Sequence, residues 1–74
     1  MNIRKALDRL NRCAVEKMEN SECFVWCDES GVFYLGLRGY YGRQGFRTLK
    51  VIGTTNYPLK VMLRNITEYA ETKG

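Results

Sequence analysis

Apolar residues recur at Ile3, Leu7, Leu10, Ala14 and Met18, with Ala6, Cys13 and Val15 widening the stripe. Intervals of three and four residues predict an amphipathic helix, and Asn2 stands where a helix cap is needed. The other side of that helix carries Arg4, Asp8, Arg12 and Glu16, alternating in sign at every fourth residue. This is the pattern of a solvated face with weak side-chain pairs.

The period then changes from helical to two. "ECFVWCDESGVFYLGLR" predicts a β-hairpin, with Asp28 opening a type I turn and Gly31 taking the left-handed position after it. A three-residue loop of Glu29, Ser30 and Gly31 sets Cys27 opposite Phe33, Trp26 opposite Tyr34, Val25 opposite Leu35, Phe24 opposite Gly36 and Cys23 opposite Leu37. Alternation then separates two faces. One carries Cys23, Val25, Cys27, Phe33, Leu35 and Leu37 and is the expected core face. The second carries Phe24, Trp26, Tyr34, Gly36 and Arg38, with Phe24 expected to lay its ring over the strand glycine.

"FRTLKVIG" predicts a third strand, with Leu49 and Val51 turned to the core and Thr48, Lys50 and Ile52 on the aromatic side. Between the second and third strands lies "RGYYGRQGFR", whose glycines at 39, 42 and 45 predict a mobile loop in place of a tight turn. The last helix is expected after "TTNYPLK", with Thr55 as its cap and Pro58 in its first turn. Leu59, Met62, Leu63, Ile66, Tyr69 and Ala70 form its stripe, opposite Lys60, Arg64, Asn65, Glu68 and Glu71. The expected fold is α+β, in the order α-β-β-β-α, as a single domain over residues 1–74.

That element order resembles the order in double-stranded-RNA-binding domains, although the places of their Pro-His pair and lysine cluster read "DESG" and "TTNYPLK" here. "RGYYG" begins like the RNP1 pattern of RNA-recognition motifs but has Tyr41 where that pattern takes Gly or Ala. The stretch from Phe24 to Ile66 is similar in layout to the three-strands-plus-helix DNA-binding domains at the start of phage integrases. None of these likenesses rests on a full motif.

Composition narrows the function classes. At 74 residues the chain is too short for a large core, and its 45% apolar and 27% charged content is that of a globular domain. No apolar run reaches the length of a membrane helix, and Asp8 argues against an organellar transit peptide, so a cytoplasmic protein is expected. Three cysteines form no complete disulfide set. Without any histidine they also fall short of a four-ligand zinc site, so no metal or other cofactor is expected. The missing histidine, scattered carboxylates and absence of a phosphate-cradling glycine motif argue against an enzyme.

Twelve basic against eight acidic residues leave a net charge of +4, which favours acidic partners. The decisive question is where the helices lie. If both cover the Cys23/Val25/Leu35 face, then Phe24, Trp26 and Tyr34 form an open patch; if they divide, the rings are core. The pattern leaves both arrangements open. An open patch supports a non-catalytic protein that binds nucleic acid (DNA or RNA). In that reading Arg38, Arg43, Arg47 and Lys50 meet phosphates, while Tyr40, Tyr41, Trp26 and Tyr34 stack or wedge. The alternative is a protein-binding accessory or inhibitor, of phage or mobile-element type, steered to an acidic protein surface by the same arginines. An open sheet face would also admit a homodimer.

Overall fold

A computed structural model describes residues 2–39 and 45–73. The chain forms helix α1 (Ile3–Met18), strands β1 (Cys23–Cys27), β2 (Val32–Arg38) and β3 (Phe46–Thr54), and helix α2 (Leu59–Lys73). The three strands make one antiparallel sheet in the order β1-β2-β3. The expected α-β-β-β-α, α+β arrangement is the one observed.

Asn2 caps α1: its Oδ1 accepts from the Lys5 amide at 3.2 Å. Ala6, Leu10 and Ala14 are the buried residues of the stripe, while Ile3 and Val15 at its margins are exposed. Arg4, Asp8, Arg12 and Glu16 all face solvent. The helix ends at Glu19, which adopts a left-handed conformation (φ 53°).

The β1–β2 register is the one that the turn chemistry dictates, from Cys27 opposite Phe33 to Cys23 opposite Leu37. Asp28 organises the turn. Its Oδ1 accepts from the Ser30 and Val32 amides, its carbonyl accepts from the Gly31 amide, and Gly31 takes φ 84°.

Strand β3 departs from simple alternation. Gly53 is opposite Phe33 and Val51 opposite Tyr34, so Ile52 is an extra residue; Lys50 is opposite Leu35 and Thr48 opposite Gly36, so Leu49 is another. Each bulge shifts the parity of the residues beyond it. Ile52 therefore enters the core at 1% exposure, and Val51 stands out at 53%, the reverse of the alternating assignment. Lys50, expected beside the aromatic rings, is registered with Leu35 on the opposite side of the sheet.

The entry to α2 also differs. Thr55 does not cap it; its amide donates to the Gly31 carbonyl at 2.8 Å, tying β3 to the hairpin turn. Pro58 immediately precedes the helix, and its carbonyl accepts from the Val61 and Met62 amides. Its missing N–H costs nothing there.

Both helices lie on one side of the sheet. Leu10 and Ala14 of α1 and Met62 and Ile66 of α2 share a single buried cluster with Cys23, Val25, Phe33, Leu35 and Ile52. The helices reach the outer strands through asparagines. Asn11 accepts from the Val25 amide at 2.8 Å and donates to the Val25 carbonyl at 3.1 Å, and Asn65 donates to the Ile52 carbonyl at 2.9 Å. Asn65 thus belongs to the interior side of α2, not to its solvated side as the apolar pattern suggests.

Among the described residues, no helix is long and apolar enough to cross a membrane.

Candidate functional site

With both helices on the Val25/Leu35 side, the other side of the sheet presents aromatic rings. Trp26 stacks on Phe24, with centroids 4.6 Å apart and planes at 24°, and on Tyr34 at 5.5 Å and 21°. Phe46 meets Trp26 and Phe24 edge-on, at 4.7 and 5.9 Å. The Arg38 guanidinium lies 4.6 Å from the centroid of the Phe24 ring. All four rings are half-buried, chiefly against each other and the strands beneath.

Local sequence explains this cluster. Phe24 and Trp26 are two apart on β1, so they share a side; Tyr34 is registered with Trp26. Between them β2 has Gly36. A Cβ there would come 2.5 Å from Trp26 Cζ3 and 2.4 Å from the Arg47 carbonyl oxygen, so only glycine admits the indole. The ring that lies on Gly36 is therefore Trp26, from the diagonal position, while Phe24 is its registered neighbour.

One end of the cluster is anchored by the hairpin turn. The Tyr34 hydroxyl donates to Asp28 Oδ2 at 2.7 Å. The amides of Val32, Ser30 and Gly31 and this hydroxyl hold the Asp28 carboxyl below its ordinary range, the Val32 bond contributing most and desolvation opposing them. The same bond raises the Tyr34 phenol, with desolvation and the Asp28 charge adding to it. Burial, then the Asp28 charge, raises the Cys27 thiol, and its Sγ contacts the Asp28 carbonyl at 3.5 Å.

The opposite end leads into the glycine-rich connection. Arg38 and Phe46 face each other across β2 and β3, and the Gly39 amide donates to the Gly45 carbonyl at 3.0 Å. The two feet of the connection thus stand at the aromatic end of the sheet. Tyr40, Tyr41 and Arg43 lie outside the described residues.

Of the other candidate residues, Trp26, Tyr34 and Arg38 come together in the cluster. Arg47 is exposed and registered with Leu37, and Lys50 is exposed and registered with Leu35, so both are on the helix side of β3. Lys50 borders a groove between β3 and α2 whose lining includes Asn65, Glu68 and Tyr69. Phe46 was not among the sequence candidates for the site. Its signal was available: it follows the loop at the position opposite Arg38, on the side of the rings.

Charge is unevenly distributed. From Ser30 to Thr67 the chain contains Arg38, Arg43, Arg47, Lys50, Lys60 and Arg64 and no carboxylate side chain. All eight acidic residues fall outside that span, including Asp28 at the far end of the ring cluster.

Cys23 is buried, Cys13 and Cys27 are partly exposed, and none of the three is in a disulfide. Among the described residues, no three side chains of the metal-binding types gather at one place.

No protein-family model matches the chain, and no curated protein or solved structure shows significant similarity to it.

Proposed function

We propose that this is a non-catalytic binding protein that engages nucleic acid with the ring-bearing side of its sheet and the basic β2–β3 region. The observation that carries this reading is the meeting of Arg38 and Phe46 on the side no helix covers, at the feet of the connection. That connection contains Tyr40, Tyr41 and Arg43 within an acid-free span of six cations. Such a span favours contact with a phosphate backbone. The non-catalytic part rests on the absence of histidine and on the Asp28 carboxylate being occupied by the turn it organises.

A salt titration of binding to DNA and to RNA tests the reading. Phosphate contact predicts affinity falling linearly, on logarithmic axes, as salt rises. Failure to bind either nucleic acid at low salt would exclude it.

A second reading, a protein-binding accessory that occludes an acidic partner surface, is favoured by the compactness of the ring cluster with an arginine at its margin. It predicts a stoichiometric complex that survives nuclease treatment and weakens when Arg38 is replaced.

A further inference from the structure

Building on the nucleic-acid reading, we infer that Arg38 takes a backbone phosphate as a two-pronged fork and that Phe24 is the residue that positions it. The guanidinium lies over the Phe24 ring, with Cζ 4.6 Å from the centroid. The strand pair puts it there. Phe24 is registered with Gly36, so Arg38, two residues further along β2, is its diagonal neighbour on the ring side of the sheet. Trp26 lies on Gly36 and stacks on Phe24, and Phe46 meets Phe24 edge-on. Held between these neighbours, the Phe24 ring is a platform for the cation. Arg47 and Lys50 lie on the other side of the sheet, away from these rings.

Holding the guanidinium in this way leaves its donors available. Attraction to a ring uses the charge of the cation and none of its N–H groups. Among the described residues, the Arg38 side chain makes no hydrogen bond and no ion pair. Glu22 stands across the strand pair, and its carbonyl accepts from the Arg38 amide at 2.9 Å, yet its carboxylate does not pair with the guanidinium. Arg38 therefore combines a set position with a free fork of donors, whose spacing matches two oxygens of one phosphate. Because the ring already restricts the side chain, less conformational freedom is lost when a phosphate binds.

A double-mutant cycle in the full chain tests this, read by anisotropy of fluorescein-labelled, mixed-sequence DNA and RNA, each single-stranded and duplex. On the probe that binds most tightly, Phe24→Leu is expected to weaken binding about fourfold. In the Arg38→Ala background the same change has no effect, because Phe24 acts through the arginine. Phe24→Tyr, which keeps a ring, restores the affinity. Arg38→Ala reduces the salt slope by about 0.9. Arg38→Lys keeps the slope and still weakens binding, since a point charge replaces the fork. In the unaltered protein, the Arg38 δ-proton resonances lie upfield of their usual position, shifted by the ring, and stay there when nucleic acid is bound.

Equal losses from Phe24→Leu in both backgrounds would make Phe24 a merely structural residue and overturn its positioning role. Weaker binding by Glu22→Gln would show that the carboxylate, and not the ring, places Arg38, with the same consequence. Arg38 δ-protons at their ordinary position would overturn that role without any variant. Arg38→Lys binding as tightly as the unaltered protein would overturn the fork. All four outcomes leave the nucleic-acid reading in place. Absence of binding to every probe at low salt would remove the inference together with the reading on which it rests.

Discussion

Gly36 shows how one residue can decide a surface. The indole of Trp26 and the carbonyl of Arg47 leave no room for a methyl group on it. Gly36→Ala is expected to cost about 2–3 kcal/mol through overpacking, read as a lower urea midpoint, with loss of the near-ultraviolet dichroism of Trp26. Asp28 acts by hydrogen bonding. Its folded-state pKa lies below the ordinary value of 3.8, so the unfolded chain takes up its proton first as pH falls. Its contribution is fully present above about pH 4 and is lost as pH drops through the folded value. Tyr34 has the opposite displacement: its contribution holds below the ordinary phenol value of 10.0 and is lost above it. Urea midpoints of the protein and of Asp28→Asn should therefore converge as pH is lowered from about 6 towards 2. A gap that stays constant over that range would show that Asp28 does not titrate with folding.

At the scale of elements, the sheet edges stand out. β1 and β3 are both edge strands, and edge strands expose unpaired N–H and C=O groups that can recruit other chains. Asn11 of α1 satisfies both backbone groups of Val25, as a neighbouring strand would, and Asn65 of α2 satisfies the carbonyl of the bulge residue Ile52. The helices thus do two things: they supply the core and they satisfy backbone groups at Val25 and Ile52 on the edge strands. Asn11→Ala leaves a partly buried amide and carbonyl without partners, with an expected loss of about 1–3 kcal/mol. Hydrogen exchange at the Val25 amide should accelerate more than exchange at Leu35, its partner on the central strand. Equal acceleration of both would mean that Asn11 supports the whole fold and not the edge. The end of α1 offers a gain: Glu19→Gly removes the steric cost of a left-handed side-chain residue and is expected to add about 1 kcal/mol to stability.

On the scale of the whole molecule, the two sides of the sheet have different duties. One side holds Phe33, Leu35, Ile52 and the helix residues Leu10, Met62 and Ile66 in a single core. The other keeps its rings half-buried by stacking them on each other, which makes Trp26 a contributor to stability as well as to the candidate surface. Trp26→Ala is expected to cost about 2 kcal/mol. Arg38→Ala should cost under about 1 kcal/mol, since it removes only an exposed cation–π contact, and should weaken nucleic-acid binding. Thermal melts beside binding isotherms separate the two effects; a large loss of stability in Arg38→Ala would recast that arginine as structural.

What could be read from the amino-acid order alone was whatever acts over a few residues. The Asn2 cap, the Asp28–Gly31 turn, the β1–β2 register that follows from it and the α-β-β-β-α succession are of this kind, because each depends on backbone groups within one turn of the chain or on a simple repeat of apolar positions. Within the candidate site, that reasoning placed Trp26, Tyr34 and Arg38 on one side of the sheet. It misplaced Lys50, Val51, Ile52 and Asn65, because the bulges at Leu49 and Ile52 and the amide bond from Asn65 arise where β3 must fit both β2 and α2. Tertiary packing alone decided that both helices lie on the same side, that Trp26 lies on Gly36, and that the rings consume one another's faces. Those outcomes depend on volume and contact between segments distant in the chain. A periodic pattern carries no information about which side its partners will choose.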